Sequence, residues 1–169
     1  MTNEEQYFAL GAGRLYLAPA SVSEAEARSL PYYAGMTKGG VTLAYSARVH
    51  EITDYFGALV RSLRYGERIR VEGRLARLYP AALARATGAP MESGVLAPGG
   101  ILPGGRLKQL RVTLVCALPE GKGEFVFSML ATPSGGFTVS LSPERDSSVS
   151  FSLSAETDGA GLSGRMVFA

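Results

Sequence analysis

The chain has few of the residues that usually carry catalysis, metal binding or disulfide bonds. Its 169 residues include one cysteine, Cys116, one histidine, His50, and no tryptophan. A single cysteine excludes an internal disulfide framework, and a lone histidine is more typical of a surface or an interface than of a catalytic centre. No cluster of His, Cys or carboxylate residues has metal-ligand spacing, and no glycine-rich loop ends in Lys-Ser or Lys-Thr. We therefore expect a protein that is not an enzyme and that uses no cofactor or metal.

Charge and long apolar runs are also scarce. Charged residues account for 19% of the chain, and the formal net charge of +2 is too small to indicate a nucleic-acid or membrane partner. No apolar run reaches the roughly 18 residues that a membrane-spanning helix needs. The N-terminal sequence MTNEEQYFALG is acidic where an export signal would be basic. We expect an N-terminal arm over residues 1–13 and a single domain over residues 14–169, without a membrane partner.

Glycine, in contrast, is abundant, with 21 residues. This number suits tight turns and kinked strands and argues against a helical bundle. Gly11 and Gly13 do not form a dinucleotide fingerprint, because Tyr16 stands where the third glycine belongs, and we expect a flexible turn there. A further turn is expected over residues 35–40. The Gly/Pro loop over residues 97–105, with its near-repeat of APGG and LPGG, matches no motif.

The stretch from Tyr65 to Gly88 has the clearest pattern in the chain. In residues 68–75, apolar residues or glycine alternate strictly with charged residues, which is the period of a strand with one buried face. Pro80 then suits the first turn of a helix, and Gly88 suits its end. We therefore predict a strand that leads directly to the one convincing helix of the chain. One face of the strand carries Ile69, Val71, Gly73 and Leu75, and the other carries Arg68, Arg70, Glu72 and Arg74.

The rest of the chain reads as short strands and turns. With one helix inserted, strands this dense predict a mainly β protein, an antiparallel β-sandwich or barrel with one short α-helix. A turn is expected at residues 133–136, between two strands. The further strands are predicted at residues 14–18, 41–46, 107–117, 124–131, 137–141, 147–155 and 165–168.

Residues 48–64 have no clear period, although they are too apolar for an ordinary solvated loop. Long irregular loops are uncommon in compact domains and are often functional. Two interpretations stay open at this point. The segment is either a strand extension packed on its own domain or an arm that buries its apolar side chains in another subunit.

Two neighbouring strands near the C-terminus carry hydroxyl groups where a soluble sheet usually carries charge. Either this is an ordinary solvent face with a bias toward serine, or it faces other subunits or a polymer that must not bind tightly to it. The hydroxyl residues are Thr138, Ser140, Ser148, Ser150 and Ser152.

The order of these segments resembles the major tail tube proteins of long-tailed, siphovirus-like bacteriophages. The similarity lies in GAGRLYLAP, GMTKGGVTLAYS, VHEITDYFGALVRSLRYGE and RIRVEGRLARLYPAALARATG, and in the later hairpins GEFVFSMLATPSGGFTVSLSPERDSSVSFSLSA. Two features depart from the family pattern. The strand at 68–75 is rich in arginine where related tubes often have an acidic lumen, and the loop at 97–105 has no counterpart.

The resemblance implies a tail-tube-like fold and a structural role in the virion. Hexameric rings would join their sheets into one barrel, stack into a tube around a tape-measure protein, and later let double-stranded DNA pass non-specifically. The further partners would be the tail terminator and tail-tip proteins, with assembly in the host cytoplasm and the helix on the outside of the barrel. A long inter-ring loop at 48–64 would stack the rings through Asp54, Tyr55, Phe56, Leu59 and Val60, and the hydroxyl residues would face the lumen.

Two alternatives remain open. One is the tube of a contractile injection device or of a type VI-like secretion system. The other is a monomeric β-sandwich that serves as a binding or decoration module. The place of the arginines is equally open, since they either face away from the lumen or are neutralised by carboxylates such as Glu67 and Glu72.

Overall fold

The structure is a computed structural model, and it describes residues 12–77, 79–87, 91–93, 95–96, 109–118, 121, 123–140, 148–156 and 164–168. Nine strands and one α-helix lie in this part of the chain, which confirms a mainly antiparallel β fold with one short helix. Two 3-10 turns, Glu26–Arg28 and Leu30–Tyr32, precede the second strand. The elements are β1 (Gly13–Pro19), β2 (Tyr33–Thr53), β3 (Leu59–Leu75), α1 (Pro80–Thr87), β4 (Met91–Glu92), β5 (Val95–Leu96), β6 (Leu110–Ala117), β7 (Glu124–Ser140), β8 (Ser148–Glu156) and β9 (Gly164–Phe168).

The strands form two layers that share two long strands. In the first sheet, the start of β2 pairs with β1, which pairs with β6, and β6 pairs with the first half of β7, whose other neighbour is β9. In the second sheet, the rest of β2 pairs with β3, then β8, then the second half of β7. Because β2 and β7 cross from one sheet to the other, the strands close into a barrel-like circuit.

The core lies between these two sheets and beneath the helix. Phe127 from the first sheet and Leu153 from the second are fully buried. Helix α1 adds Ala82 and Ala86, which are one turn apart and therefore lie on the same helical face. Pro80 begins this helix as predicted.

The alternation predicted for residues 68–75 is present in β3. Ile69, Val71 and Leu75 are buried, while the three arginines of the opposite face are exposed. Gly73 lies on the buried face, where a Cβ atom would come within 3.1 Å of the Phe151 ring. Glycine suits this position because the aromatic ring leaves little room for a side chain.

Two predicted turns are wrong, because both are irregularities inside continuous strands. Residues 35–40 belong to β2, where Thr37 pairs with Leu75 and Val41 with Gly73, so β2 carries two extra residues. The turn expected at 133–136 is likewise part of β7, with a register shift. Glycine suits turns and bulges equally, and here each bulge helps a long strand pass between the two sheets.

The predicted flexible turn at Gly13 is also wrong. Gly13 begins β1, and its amide donates a hydrogen bond to Thr37 Oγ1 at 2.7 Å. A Cβ atom at this position would lie 2.5 Å from Cys116 Sγ, so close strand packing explains the glycine. Residues 1–11 and the loop at 97–105 lie outside the described residues.

Candidate functional site

Residues 48–65 form a β-hairpin that projects from the barrel, and we call this hairpin the arm. Pairing of β2 with β3 continues from Arg48 opposite Tyr65 to Thr53 opposite Leu59, so the segment expected as a long loop at 48–64 consists of two paired strand ends and a short turn. The strand extension is correct, but it is not packed on its own domain. Every residue from 48 to 65 is exposed to solvent.

Asp54 holds the tip of the arm in a defined turn. Its Oδ1 accepts hydrogen bonds from the amides of Phe56 at 2.9 Å and Ala58 at 2.8 Å. The Asp54 amide in turn donates to the Ala58 carbonyl at 2.8 Å, and Gly57 has a φ of 81°. This is a side-chain cap typical of aspartate in turns, and it gives Asp54 a local structural role.

The arm exposes an unusual amount of apolar surface. Tyr55 and Phe56 at the tip are 97% and 90% exposed, and their rings contact each other edge to face at a centroid distance of 5.5 Å. Contiguous apolar surface of this kind typically marks an interaction site. The structure therefore brings the predicted stacking residues together on one projecting element. The other exposed apolar residues of the arm are Val49, Ile52, Leu59, Val60, Leu63 and Tyr65.

A bulge and a polar cluster define the base of the arm. Gly66, with a φ of 59°, lies where β3 has one residue more than β2. The Tyr45 hydroxyl donates to Glu67 Oε1 at 2.6 Å, and Arg64 Nη1 lies 3.9 Å from the same carboxylate oxygen. The hydrogen bond to Glu67 raises the pKa of Tyr45.

The outer face of the second sheet is polar and carries the predicted hydroxyl residues. Ser150 lies opposite Arg74 on one side and Thr138 on the other, and Ser152 lies opposite Glu72. Since residues paired across antiparallel strands share a face, the hydroxyls and the arginines form a single surface. The two sets therefore do not face in opposite directions. Ser140 is likewise paired with Ser148.

Glu72 neutralises part of this surface within the chain. Its Oε1 lies 3.5 Å from Arg70 Nη1 and accepts a hydrogen bond from Ser152 Oγ at 3.1 Å. Arg74, one step along the same face, makes no ion pair with a described carboxylate. Among the described residues of this face, Arg74 therefore keeps a positive charge that no carboxylate offsets.

A groove of about 580 Å³ lies on this face beside the bulge of β2. The residues that line it include Lys38, Arg74, Gly73 and Ser150. No sequence motif indicates this groove. It lies where β2 carries two extra residues while β3 and β8 stay in register.

The second sheet has two free edges in the part of the chain that the structure describes. Residues 41–53 of β2 pair only with β3, and residues 132–140 of β7 pair only with β8. Free edges expose backbone donors and acceptors that can pair with another chain. Sequence alone did not locate them, because edge position depends on the order of strands in the sheet.

The residues considered for chemistry lie apart from one another. His50 is on the arm opposite Leu63, and Cys116 is buried in the core, where burial raises the pKa of its thiol. Within the described ranges, no three His, Cys, Asp or Glu residues are grouped to hold a metal ion. None of the helices described is long and apolar enough to cross a membrane.

Comparison with known proteins yields likenesses to solved structures only. No family model matches the chain, and no curated protein matches it. One similar solved structure is described as the tail of an empty GTA particle, refined helically with C6 symmetry. The TM-score is 0.39 and the identity is 12%, covering 92% of this chain and 95% of that chain. A likeness of this size assigns neither fold nor function.

Proposed function

We propose that this chain is a structural subunit of a phage-like tail tube. In this proposal, copies of the chain form hexameric rings that stack into a tube around a tape-measure protein, which later leaves so that DNA can pass. The tail terminator and tail-tip proteins would cap the two ends of the tube in the virion. The observation that carries the proposal is the apolar arm projecting from a barrel whose second sheet has two free edges.

The arm supplies the contact between rings. Its apolar side chains are exposed in the described part of the chain, and burying each one would stabilise an assembly by roughly 1.5–3 kcal/mol. The contact repeats at every subunit of a ring, so a modest contribution per side chain is sufficient to drive stacking. The members of this contact are Tyr55, Phe56, Leu59 and Val60, with Asp54 shaping the tip.

The free edges supply the contact within a ring. Pairing the β2 edge of one copy with the β7 edge of the next is a head-to-tail contact, and such a contact closes into a ring when the rotation allows it. Four strands per copy then give about 24 strands in a hexamer, and a strand spacing of about 4.8 Å gives a diameter of about 37 Å. Closure would also remove the exposed edges that favour aggregation.

The polar face is the one available to line the bore. The opposite face of the second sheet packs on the core through Val71 and Leu153, so the first sheet and helix α1 lie on the core side. When the second sheets of neighbouring copies join into one barrel, the first sheet and helix α1 of each copy must lie outside that barrel. Thr138, Ser140, Ser148, Ser150 and Ser152 would then face the lumen together with the arginines of β3.

The test is to replace Phe56 and Leu59 together with serine. We expect a folded monomer, judged by circular dichroism, that forms no tubes by light scattering and negative-stain microscopy. Leu30→Ser is the matched control, because Leu30 is 86% exposed but lies outside the arm. Normal tubes from the double variant would remove the arm from stacking. A wild-type chain that stays monomeric at high concentration would instead favour the binding or decoration module.

A further inference from the structure

We propose that the groove beside the β2 bulge is a phosphate-binding site. The groove is defined by Lys38, Gly39, Gly40, Arg74, Thr138 and Ser150, which line it together with Glu72 and Ser152. The ligand class is a phosphate group, either free or in a nucleic-acid backbone.

The backbone of the bulge creates an open rim. Gly39 and Gly40 have φ values of 75° and 96°, which side chains other than glycine rarely adopt. A Cβ atom at either position would meet nothing within 4 Å, so the rim is accessible to a ligand.

The charges around the groove favour an anion. Glu72 Oε1 lies 3.5 Å from Arg70 Nη1, so this guanidinium offsets its negative charge, and it accepts a hydrogen bond from the Ser152 hydroxyl at 3.1 Å. Arg74 has no carboxylate partner in the described part of the chain. Lys38, which has an interaction of its own, also lines the groove. The guanidinium of Arg74 therefore supplies the positive charge that favours an anion.

The donors around the groove suit phosphate. A guanidinium presents several N–H donors in a rigid fork that matches phosphate oxygens, and a lysine acts as a point charge. Thr138 and Ser150 add hydroxyl donors from neighbouring strands. A phosphate group has enough acceptor oxygens to meet donors that converge from several strands.

The proposal that the bound phosphate belongs to DNA rests on the proposed function, whereas binding of a phosphate group by a single subunit does not. In a ring, each copy would present one groove to the bore, and the backbone of passing DNA would meet a ring of equivalent contacts. Each contact would be electrostatic and weakened by salt. Such a ring would guide DNA along the tube axis by contacts that form and break as the DNA moves.

The test measures binding of a short, fluorescently labelled DNA duplex by anisotropy at several salt concentrations. We expect Arg74→Gln to weaken binding about tenfold, because a charge-assisted hydrogen bond is lost. The slope of log affinity against log salt should fall by about 0.9 for each phosphate contact removed. Arg28→Gln is the control, since it removes the same charge from an exposed 3-10 turn. Arg74→Lys keeps the charge and should restore the salt slope.

Inorganic phosphate distinguishes the two sources. Displacement of the duplex by phosphate, but not by chloride at equal ionic strength, would support a backbone phosphate in the groove. Phosphate binding that depends on Arg74, without duplex binding, would support the site and assign it to the free ion. Equal weakening by Arg74→Gln and Arg28→Gln, or no binding of either probe, would overturn the proposal. Microscopy of the same wild-type sample tests tube formation separately, so either proposal can fail alone.

Discussion

The β2–β3 ladder has an inner half in the barrel, with residues 68–75 of β3, and an outer half in the arm. Both halves are paired along the backbone, but only the inner half has buried apolar side chains. In the inner half, Ile69 and Val71 are buried by β8 and by the first sheet behind it. In the outer half, Leu59 and Val60 are equally apolar and are exposed, because the described part of the chain places no second layer over them. Strand pairing thus satisfies the backbone, while burial requires another layer of protein.

This difference explains why one half alternates in sequence and the other does not. A strand with one dry and one wet face has a period of two, as residues 68–75 show. The arm instead carries apolar residues on both faces. An isolated two-stranded hairpin is marginally stable in water at best, so the arm is expected to gain order from a partner.

Thiol labelling would show the contrast between barrel and arm most strongly. Cys116 is 1% exposed, and burial raises its pKa, so both access and thiolate formation are suppressed. In a Ser62→Cys variant, we expect the cysteine of the arm to react with iodoacetamide at least about a thousandfold faster than Cys116, which must wait for unfolding. Mass spectrometry of digested samples measures both rates, and denatured protein should label equally at both sites. Similar rates in the native protein would show that the core opens easily.

A pair of phenylalanine substitutions compares the energetics of the same two regions. Phe127 is fully buried, and Phe127→Ala should lower the free energy of unfolding by about 3–5 kcal/mol. Phe56→Ala at the tip should change the unfolding of the monomer by less than about 0.5 kcal/mol. Urea denaturation followed by circular dichroism measures both. A large loss from Phe56→Ala would mean that the arm packs on its own barrel.

Removing the cap at the tip should have a local effect. Asp54→Ala removes the acceptor for the amides of Phe56 and Ala58, so their hydrogen-exchange protection should fall by about tenfold, as for loss of one capping interaction. The strands of the barrel should keep their protection, because local opening of the arm is independent of global unfolding. Asp54→Asn keeps a side-chain acceptor and should retain most of the protection. Loss of protection throughout β3 would show that the arm and the barrel unfold together.

The smallest effect is expected at an exposed ion pair on the barrel itself. Arg14 Nη2 lies 2.6 Å from Glu124 Oε1, and both side chains are about half exposed. Exposed ion pairs contribute about 0–1 kcal/mol, so Glu124→Gln should barely shift the urea midpoint. A loss of several kcal/mol would show that surface contacts on the barrel matter more than its packing.

The elements that sequence predicted correctly depend on local patterns. The alternation from Arg68 to Leu75 and the proline at the start of α1 both give signals within a few residues. The roles of the arm and of the hydroxyl face remain predictions.

The errors share one physical cause. The sequence favours turns at residues 35–40, at residues 133–136 and at Gly13, because glycine and proline are common in turns and in bulges alike. Residues 48–64 lacked a period because neither face of the hairpin is buried. In each case, the conformation depends on a strand that is distant in sequence.

The amino-acid sequence by itself determined the β class, the single helix and the faces of the strands, since alternation and helix signals act over a few residues. Only the tertiary structure decided that β2 and β7 cross between sheets, that the hydroxyls share a face with the arginines, and that the groove opens beside the bulge. These features arise from register and strand order, which are set by packing between residues far apart in the chain.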